Sequence, residues 1–404
     1  MPRLLAAVLA ALTLISLAAC GEKAPSPPEE PVPPVQEEPI VQEPQPEPPA
    51  PTAEELAEQQ IDGLLSSMTL EEKVGQLFFV RCPAENAVED ISAYHLGGYI
   101  LFGRDIKDSA GDWLTEEQFT QILQSYQDAA AIPLLIGVDE EGGTVARVSR
   151  NPNLFPNGTC KSPQYLLGHQ QESHNVFSAD AWEKNSRLQL FGINVNLAPV
   201  CDVSTDPSAF IYDRTLGQDA QATAAYVTSV VTAMRDCGMG SVLKHFPGYG
   251  DNADTHTGIA VDDRPYEDFV NEDFLPFQAG IEAGGNTTSV LVSHNIVECM
   301  DPDLPASLSP NVHRILREEL GFDGVVMTDD LAMEAVSAYA GDGAVAVMAL
   351  EAGNDLVLTT DYRVQIPKVM EAVENGTLDE AVIDTACRRV LRWKQALGLL
   401  EGLI

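Results

Sequence analysis

Eight short runs of aliphatic and β-branched residues alternate with stretches of helical period, and this alternation constrains the fold more than any single residue does. The runs are VGQLFFV from Val74, GGYILFG from Gly97, PLLIGVD from Pro133, INVNLAPV from Ile193, SVLKHF from Ser241, SVLVSH from Ser289, GVVMTD from Gly324 and DLVLT from Asp355. Brief apolar runs separated by helices are the pattern of parallel strands covered by helices on their faces. Eight such units predict a closed (β/α)8 barrel, one catalytic domain over residues 52–404, with a doubly wound open sheet as the structural alternative. The intervening helices are plain in LTEEQFTQILQSYQDAAA from Leu114 and AQATAAYVTSVVTAMRDCG from Ala220. Thr69 and Glu72 form a capping box that opens another.

Six runs end in polar or charged groups: Arg104 with Asp105, Asp139, Asp202, Lys244 with His245, His294 with Asn295, and Asp329 with Asp330. In a parallel barrel all strands end on the same face, where active sites are built. Any one of these residues could serve as a helix cap. Six together predict an active site.

The N-terminal end carries different information. Residues 1–20, MPRLLAAVLAALTLISLAAC, read as an export signal whose small residues before Cys20 form a lipobox, so cleavage would leave Cys20 diacylated at the new N-terminus. Two acyl chains hold a protein on a membrane where one barely does. Residues 21–51 hold twelve of the 27 prolines and seven glutamates against one lysine, a stiff solvated tether. In polyproline II it would reach roughly 95 Å. The expected location is therefore extracytoplasmic, on the cell membrane, with no contact to the bilayer beyond the lipid anchor. Of the formal charge of −38, −33 falls on the domain, which argues against nucleic acid as a partner. The six remaining cysteines show no CxxC pair, so neither a zinc site nor a redox motif is expected, and free thiols suit a domain this large.

KHFPGYGDNADTHTG from Lys244 and GVVMTDDLAMEA from Gly324 closely resemble glycoside hydrolase family 3, in its single-barrel β-N-acetylglucosaminidase branch. Cleavage of a glycoside with retention needs a carboxylate beneath the anomeric carbon and a proton donor at the leaving oxygen. MTLEEKVGQL, GGYILFGRDI, DEEGGTVARV, NVNLAPVCDV with DRTLG, and DPDLPASLSP follow in the family's order, so the resemblance covers nearly the whole domain. It implies that Asp329, the first Asp of TDD, is the nucleophile, while strand alternation turns Asp330 away. It also implies a proton donor from a barrel loop, His256, paired with Asp254. Their i, i+2 spacing lets an extended loop turn both to one side, where a carboxylate on one imidazole nitrogen leaves the other to carry the proton. By position, Asp139, Arg147, Arg214, Lys244 and His245 would bind sugar hydroxyls. Three departures stand out: Tyr249 where this branch has a second His, Thr144 where an Arg is frequent, and a loop one residue short between Gly250 and Asp254. They bear on the preferred leaving group.

The implied activity is a retaining, exo-acting β-N-acetylglucosaminidase that uses no cofactor or metal, works as a monomer and takes cell-wall fragments or related glycans. The alternatives are a β-glucosidase or a glycoside phosphorylase of the same family and, in another class, a sugar-binding lipoprotein of a transporter. The first relatives carry Trp after the nucleophile, where Asp330 stands here, and the last folds as two lobes.

Overall fold

Parallel pairing runs unbroken through eight strands of the computed structural model, which describes residues 51–170, 175–250, 260–333, 336, 339 and 345–403. In chain order the strands are β1 (Phe78–Arg81), β2 (Gly98–Leu101), β3 (Leu135–Val138), β4 (Val195–Asn196), β5 (Gly240–Phe246), β6 (Val261–Asp262), β7 (Thr288–Val292), β8 (Ile296–Val297), β9 (Val326–Thr328) and β10 (Val357–Thr359). The main ladder runs β10-β1-β2-β3-β4-β5-β7-β9, and β6 pairs with β8 as a separate ribbon. A bridge from Met327 to Leu356 and the Thr328 N–H bond to the Leu356 carbonyl (3.2 Å) join the two ends of the ladder. The sheet therefore closes as the alternation requires, and the open-sheet alternative falls.

Most strands are shorter than their sequence runs, and two show why. The first begins at Phe78, because Val74–Gln76 belong to the helix Leu70–Gln76, whose N-cap Thr69 and Glu72 form the reciprocal capping box. The fourth keeps two ladder residues because side-chain amides replace the ladder around it. Asn194 Oδ1 accepts the Ile136 N–H (2.8 Å), its Nδ2 donates to the Leu134 carbonyl (3.0 Å), and Asn196 Oδ1 accepts the Glu140 N–H (3.0 Å).

The barrel interior is filled by side chains rather than left as a pore. Phe79 crosses it. Its ring lies against Gly98 of β2 and reaches Gly137 of β3, where a Cβ would stand 2.4 Å from the ring. Outside the barrel, the helix Ala53–Ser67 packs on the helix Glu380–Ala396, with Glu58 ion-paired to Arg392 at 2.6 Å. All six cysteines of the domain are free.

One core contact is unusual. Lys394, on the last helix, is fully buried, and its ammonium donates to Gln76 Oε1 at 2.6 Å. Burial pulls its pKa down to about 7, against a smaller upward pull from Cys387. The unfolded chain then binds the extra proton between about pH 7 and the ordinary lysine value, so this site's cost is fully present below pH 7 and fades as pH rises. Lys394→Met is expected to be more stable than the natural chain at pH 6, with the gap narrowing by up to about 1.4 kcal/mol per pH unit above pH 7. Denaturant unfolding from pH 6 to 10 checks this; a gap independent of pH would contradict it.

Candidate active site

The segment DEEGG after β3 turns three neighbouring carboxylates to three different tasks. Asp139 follows Gly137 by two residues and so shares its inward face. Glu140 is wholly buried, and its Oε2 accepts the N–H groups of Arg147 (2.9 Å), Val148 (2.7 Å) and Ser149 (3.2 Å), capping the turn Val148–Arg150. Its other oxygen takes the Ser149 hydroxyl. Glu141, with 3% of its side chain exposed, binds two cations at once: Lys244 Nζ at 2.7 Å and Arg214 through a two-pronged pair at 2.7 and 3.0 Å. The sharp reversal depends on Gly142, whose φ of 104° and contact with the Lys161 carbonyl exclude any side chain.

Lys244 comes from β5 and is buried, its ammonium lying between Glu141 and Asp139 (2.6 Å). Burial alone would lower its pKa; Asp139 and Glu141 outweigh this and raise it, so the ammonium stays charged. For Glu141, burial pushes the pKa up, but Arg214 and Lys244 more than reverse it and hold the carboxylate well below its usual range. Asp139 keeps one oxygen without a hydrogen-bond partner among the described residues.

His245 continues the chain of contacts. Asp202, at the end of the INVNLAPV segment, accepts from His245 Nδ1 at 2.7 Å, from the His245 N–H and from the Tyr249 N–H (2.7 Å). With Nδ1–H given to Asp202, the Nε2 lone pair accepts from Arg214 Nη2 at 3.2 Å. The departure at Tyr249 is thus mild for this contact, since the bond to Asp202 is made by a backbone N–H that any residue but proline supplies.

The structure therefore gathers four of the expected sugar-binding residues, Asp139, Arg214, Lys244 and His245, into one connected set. Arg147 stands beside it, its guanidinium 5.9 Å from the Phe102 ring centroid and without an ion pair among the described residues. Asp329 follows β9 on the same barrel face, its N–H bonded to the Val292 carbonyl and one carboxylate oxygen accepting the Asp330 N–H at 2.8 Å. Asp330 spends its carboxylate on the frame: Oδ1 accepts the N–H groups of Ala332 (3.0 Å) and Thr360 (3.2 Å), and Oδ2 the Thr360 hydroxyl (2.9 Å). Its carbonyl accepts from His294 Nε2 at 3.1 Å. Cys20, Asp254 and His256 lie outside the described residues. Glu141 is the residue that sequence reasoning missed; only its place beside two buried cations separates it from Glu140.

Removing one partner from a buried cluster of charges leaves the others uncompensated. Glu141→Ala is expected to cost about 3–5 kcal/mol of stability, and Glu141→Gln, which keeps an acceptor, clearly less. Equal unfolding midpoints for the two variants would show that the charge of Glu141 does not hold Lys244 and Arg214.

Residues 69–393 match the profile described as "Glycosyl hydrolase family 3 N terminal domain". A protein named "Beta-hexosaminidase" from Stenotrophomonas maltophilia is 33% identical over 290 residues, 71% of this chain and 83% of that one. A protein of the same name from Thiobacillus denitrificans is 33% identical over 330 residues, covering 76% and 87%. Among solved structures, a glycoside hydrolase family 3 β-N-acetylglucosaminidase from Paenibacillus superposes with a TM-score of 0.74 at 31% identity, over 82% of this chain and 63% of that one. A β-N-acetylhexosaminidase from Beutenbergia cavernae does so with a TM-score of 0.70 at 30% identity, over 81% and 99%. With the closed barrel and the polar network at the strand ends, these likenesses make the chain a glycoside hydrolase that belongs to glycosyl hydrolase family 3.

Proposed function

We propose that this enzyme removes terminal β-linked N-acetylglucosamine from cell-wall fragments or related glycans, with retention, through a covalent glycosyl enzyme at Asp329. The observation that carries the reading is the division of labour at the end of β9: Asp330 has its carboxylate bound by Ala332 and Thr360, while the neighbouring Asp329 closes the strand on the rim that holds the sugar-binding set. The relatives' names support the sugar. Asp139, Lys244, His245 and Arg214 form a preorganised set of charged donors and acceptors, suited to paired hydroxyls of a pyranose. Bonds of this type strengthen as charge develops at the ring.

In the mechanism this supports, the Asp329 carboxylate attacks the anomeric carbon while His256 gives a proton to the leaving oxygen. Water then displaces Asp329 from the anomeric carbon, giving one of its own protons to His256 as it attacks. Asp254 holds the imidazole in the working tautomer. The N-terminal reading is part of the same proposal: diacylation at Cys20 anchors a monomeric enzyme to the cell membrane, and residues 21–51 lift its barrel toward an extracytoplasmic substrate.

Asp329→Ala is expected to lose at least about 10³-fold in kcat on a chromogenic N-acetylglucosaminide while keeping its unfolding transition, since no other carboxylate replaces the nucleophile. Mass spectrometry of enzyme trapped with a slow fluorinated glycoside should find the label on Asp329. A label on Asp330, or a mild Asp329→Ala, would sink the assignment.

His256→Ala is expected to slow chitobiose by roughly 10²-fold or more and nitrophenyl glycosides far less, because good leaving groups need no proton. Equal losses on both would remove His256 as the acid.

A further inference from the structure

β5 ends at Phe246 and β6 begins at Val261, and the sequence between them carries Asp254 and His256. The described residues at the two ends of that segment meet on one arginine. Arg264 follows β6 by two residues. Its Nε donates to both oxygens of Asp262 at 3.1 Å, its Nη2 to Asp262 Oδ2 at 2.8 Å and its Nη1 to Asp273 Oδ2 at 2.8 Å, while the guanidinium lies 4.3 Å from the Phe269 ring centroid. Asp262 is itself fixed in the ribbon: its carbonyl accepts the Glu298 N–H (2.9 Å), and the Ala260 carbonyl accepts the Ile296 N–H (2.9 Å).

The other end of the segment, residues 247–250, rests on the same ion pair. A Cβ at Gly248 would overlap Asp273 Oδ1, and one at Gly250 would stand 2.8 Å from the Arg264 guanidinium; the two glycines have φ of 131° and 55°. Between them, the Tyr249 N–H donates to Asp202, the carboxylate that orients His245 (2.7 Å). Asp262 and Asp273 have 2% and 1% of their side chains exposed, so this is no surface pair. Asp273 ends a π-helical turn, Phe269–Asp273, ahead of the helix Phe274–Gly284, and such turns recur at functional sites. Pinning both ends of a segment removes much of the freedom that closing it costs. A proton donor works only within hydrogen-bond reach of the leaving oxygen, where a misplacement of about 1 Å can cost about 10²-fold.

We propose that Arg264, gripped by Asp262 and Asp273, is a positioning residue that holds the two ends of residues 247–260 together and so sets the reach of His256 toward the leaving oxygen. This rests on the reading of His256 as the acid.

The test measures, within each preparation, the ratio of kcat on chitobiose to kcat on a nitrophenyl N-acetylglucosaminide, a quantity independent of how much of the enzyme is folded. Arg264→Met should lower the ratio by about tenfold or more and leave KM for the nitrophenyl glycoside unchanged, because the sugar-binding set is untouched. Arg264→Lys keeps the charge but not the fork and should restore part of the ratio. Gly250→Ala, whose Cβ would press on the guanidinium, should lower it with every charge in place. Added to His256→Ala, Arg264→Met should lower the ratio no further, since the two act through one proton transfer. An unchanged ratio in Arg264→Met, or a further tenfold fall in the double variant, overturns the inference alone. An unchanged ratio in His256→Ala overturns the reading of His256 as the acid, and this one with it.

Discussion

An ammonium group with 2% of its side chain exposed can stay charged only if its surroundings supply what water would have supplied, and Lys244 sets that requirement at the centre of the molecule. Asp139 and Glu141 answer it. Glu141 then carries its own burden, since a buried carboxylate needs more than one lysine, and Arg214 meets it with two hydrogen bonds. Arg214 leans on His245, His245 on Asp202, and Asp202 on the Tyr249 N–H. Every member is fixed by the next, so the set proposed to meet the sugar is held in place by its own contacts. Preorganised charge of this kind stabilises a developing transition state without reorganising at the moment of reaction. It also depends on the sheet: the members come from the ends of β3 and β5 and the segment after β4, and parallel pairing delivers those ends to one rim.

How much of this was legible in the sequence follows from the range over which each constraint acts. The barrel was legible because strand and helix periods are local, and eight repeats of the alternation leave few topologies. The shared rim of Asp139, Lys244 and Asp329 was legible because they sit at strand ends, where the period-2 pattern changes into polar residues; the role expected of Asp329 came from the family resemblance. Glu141 was not, because in DEEGG nothing local separates it from Glu140: one caps a turn three times over, the other joins two buried cations, and the distinction lies in β5 and in the Arg214 turn. The extent of β4 was missed for a related reason. Asn194 and Asn196 look like loop residues, yet their amides take over backbone partners that a longer strand would have bonded itself.

Scarcity of positive charge gives the surviving cations unusual meaning. With carboxylates so far in excess, a basic group near the surface readily meets one, and pairs such as Arg235 with Asp236 carry little structural information. The informative cations are those whose surroundings were built for them. Lys244 has a cage of two carboxylates, while Lys394 has a single amide oxygen and a pKa pulled down to about 7. The same residue type in the same kind of burial is held charged at the rim and only marginally so in the core. What differs is the number of opposing charges around each ammonium, two carboxylates against none.

The pair Asp329–Asp330 shows how little sequence is needed to separate the group proposed as nucleophile from a framework group. The two are adjacent, chemically identical and at the same strand end, so composition cannot distinguish them. Geometry does: successive side chains leave a strand on opposite sides. One of them meets the Ala332 and Thr360 N–H groups and the Thr360 hydroxyl, which fix the start of the following loop against the end of β10. Burial raises the pKa of that carboxyl, and its hydrogen bonds and the nearby Asp329 act on the same balance, so Asp330 also helps set the field beside its neighbour. A framework carboxylate bound by three donors cannot turn away without releasing the loop after β9 from the end of β10. Those bonds therefore commit Asp330, rather than Asp329, to the loop after β9 and the end of β10.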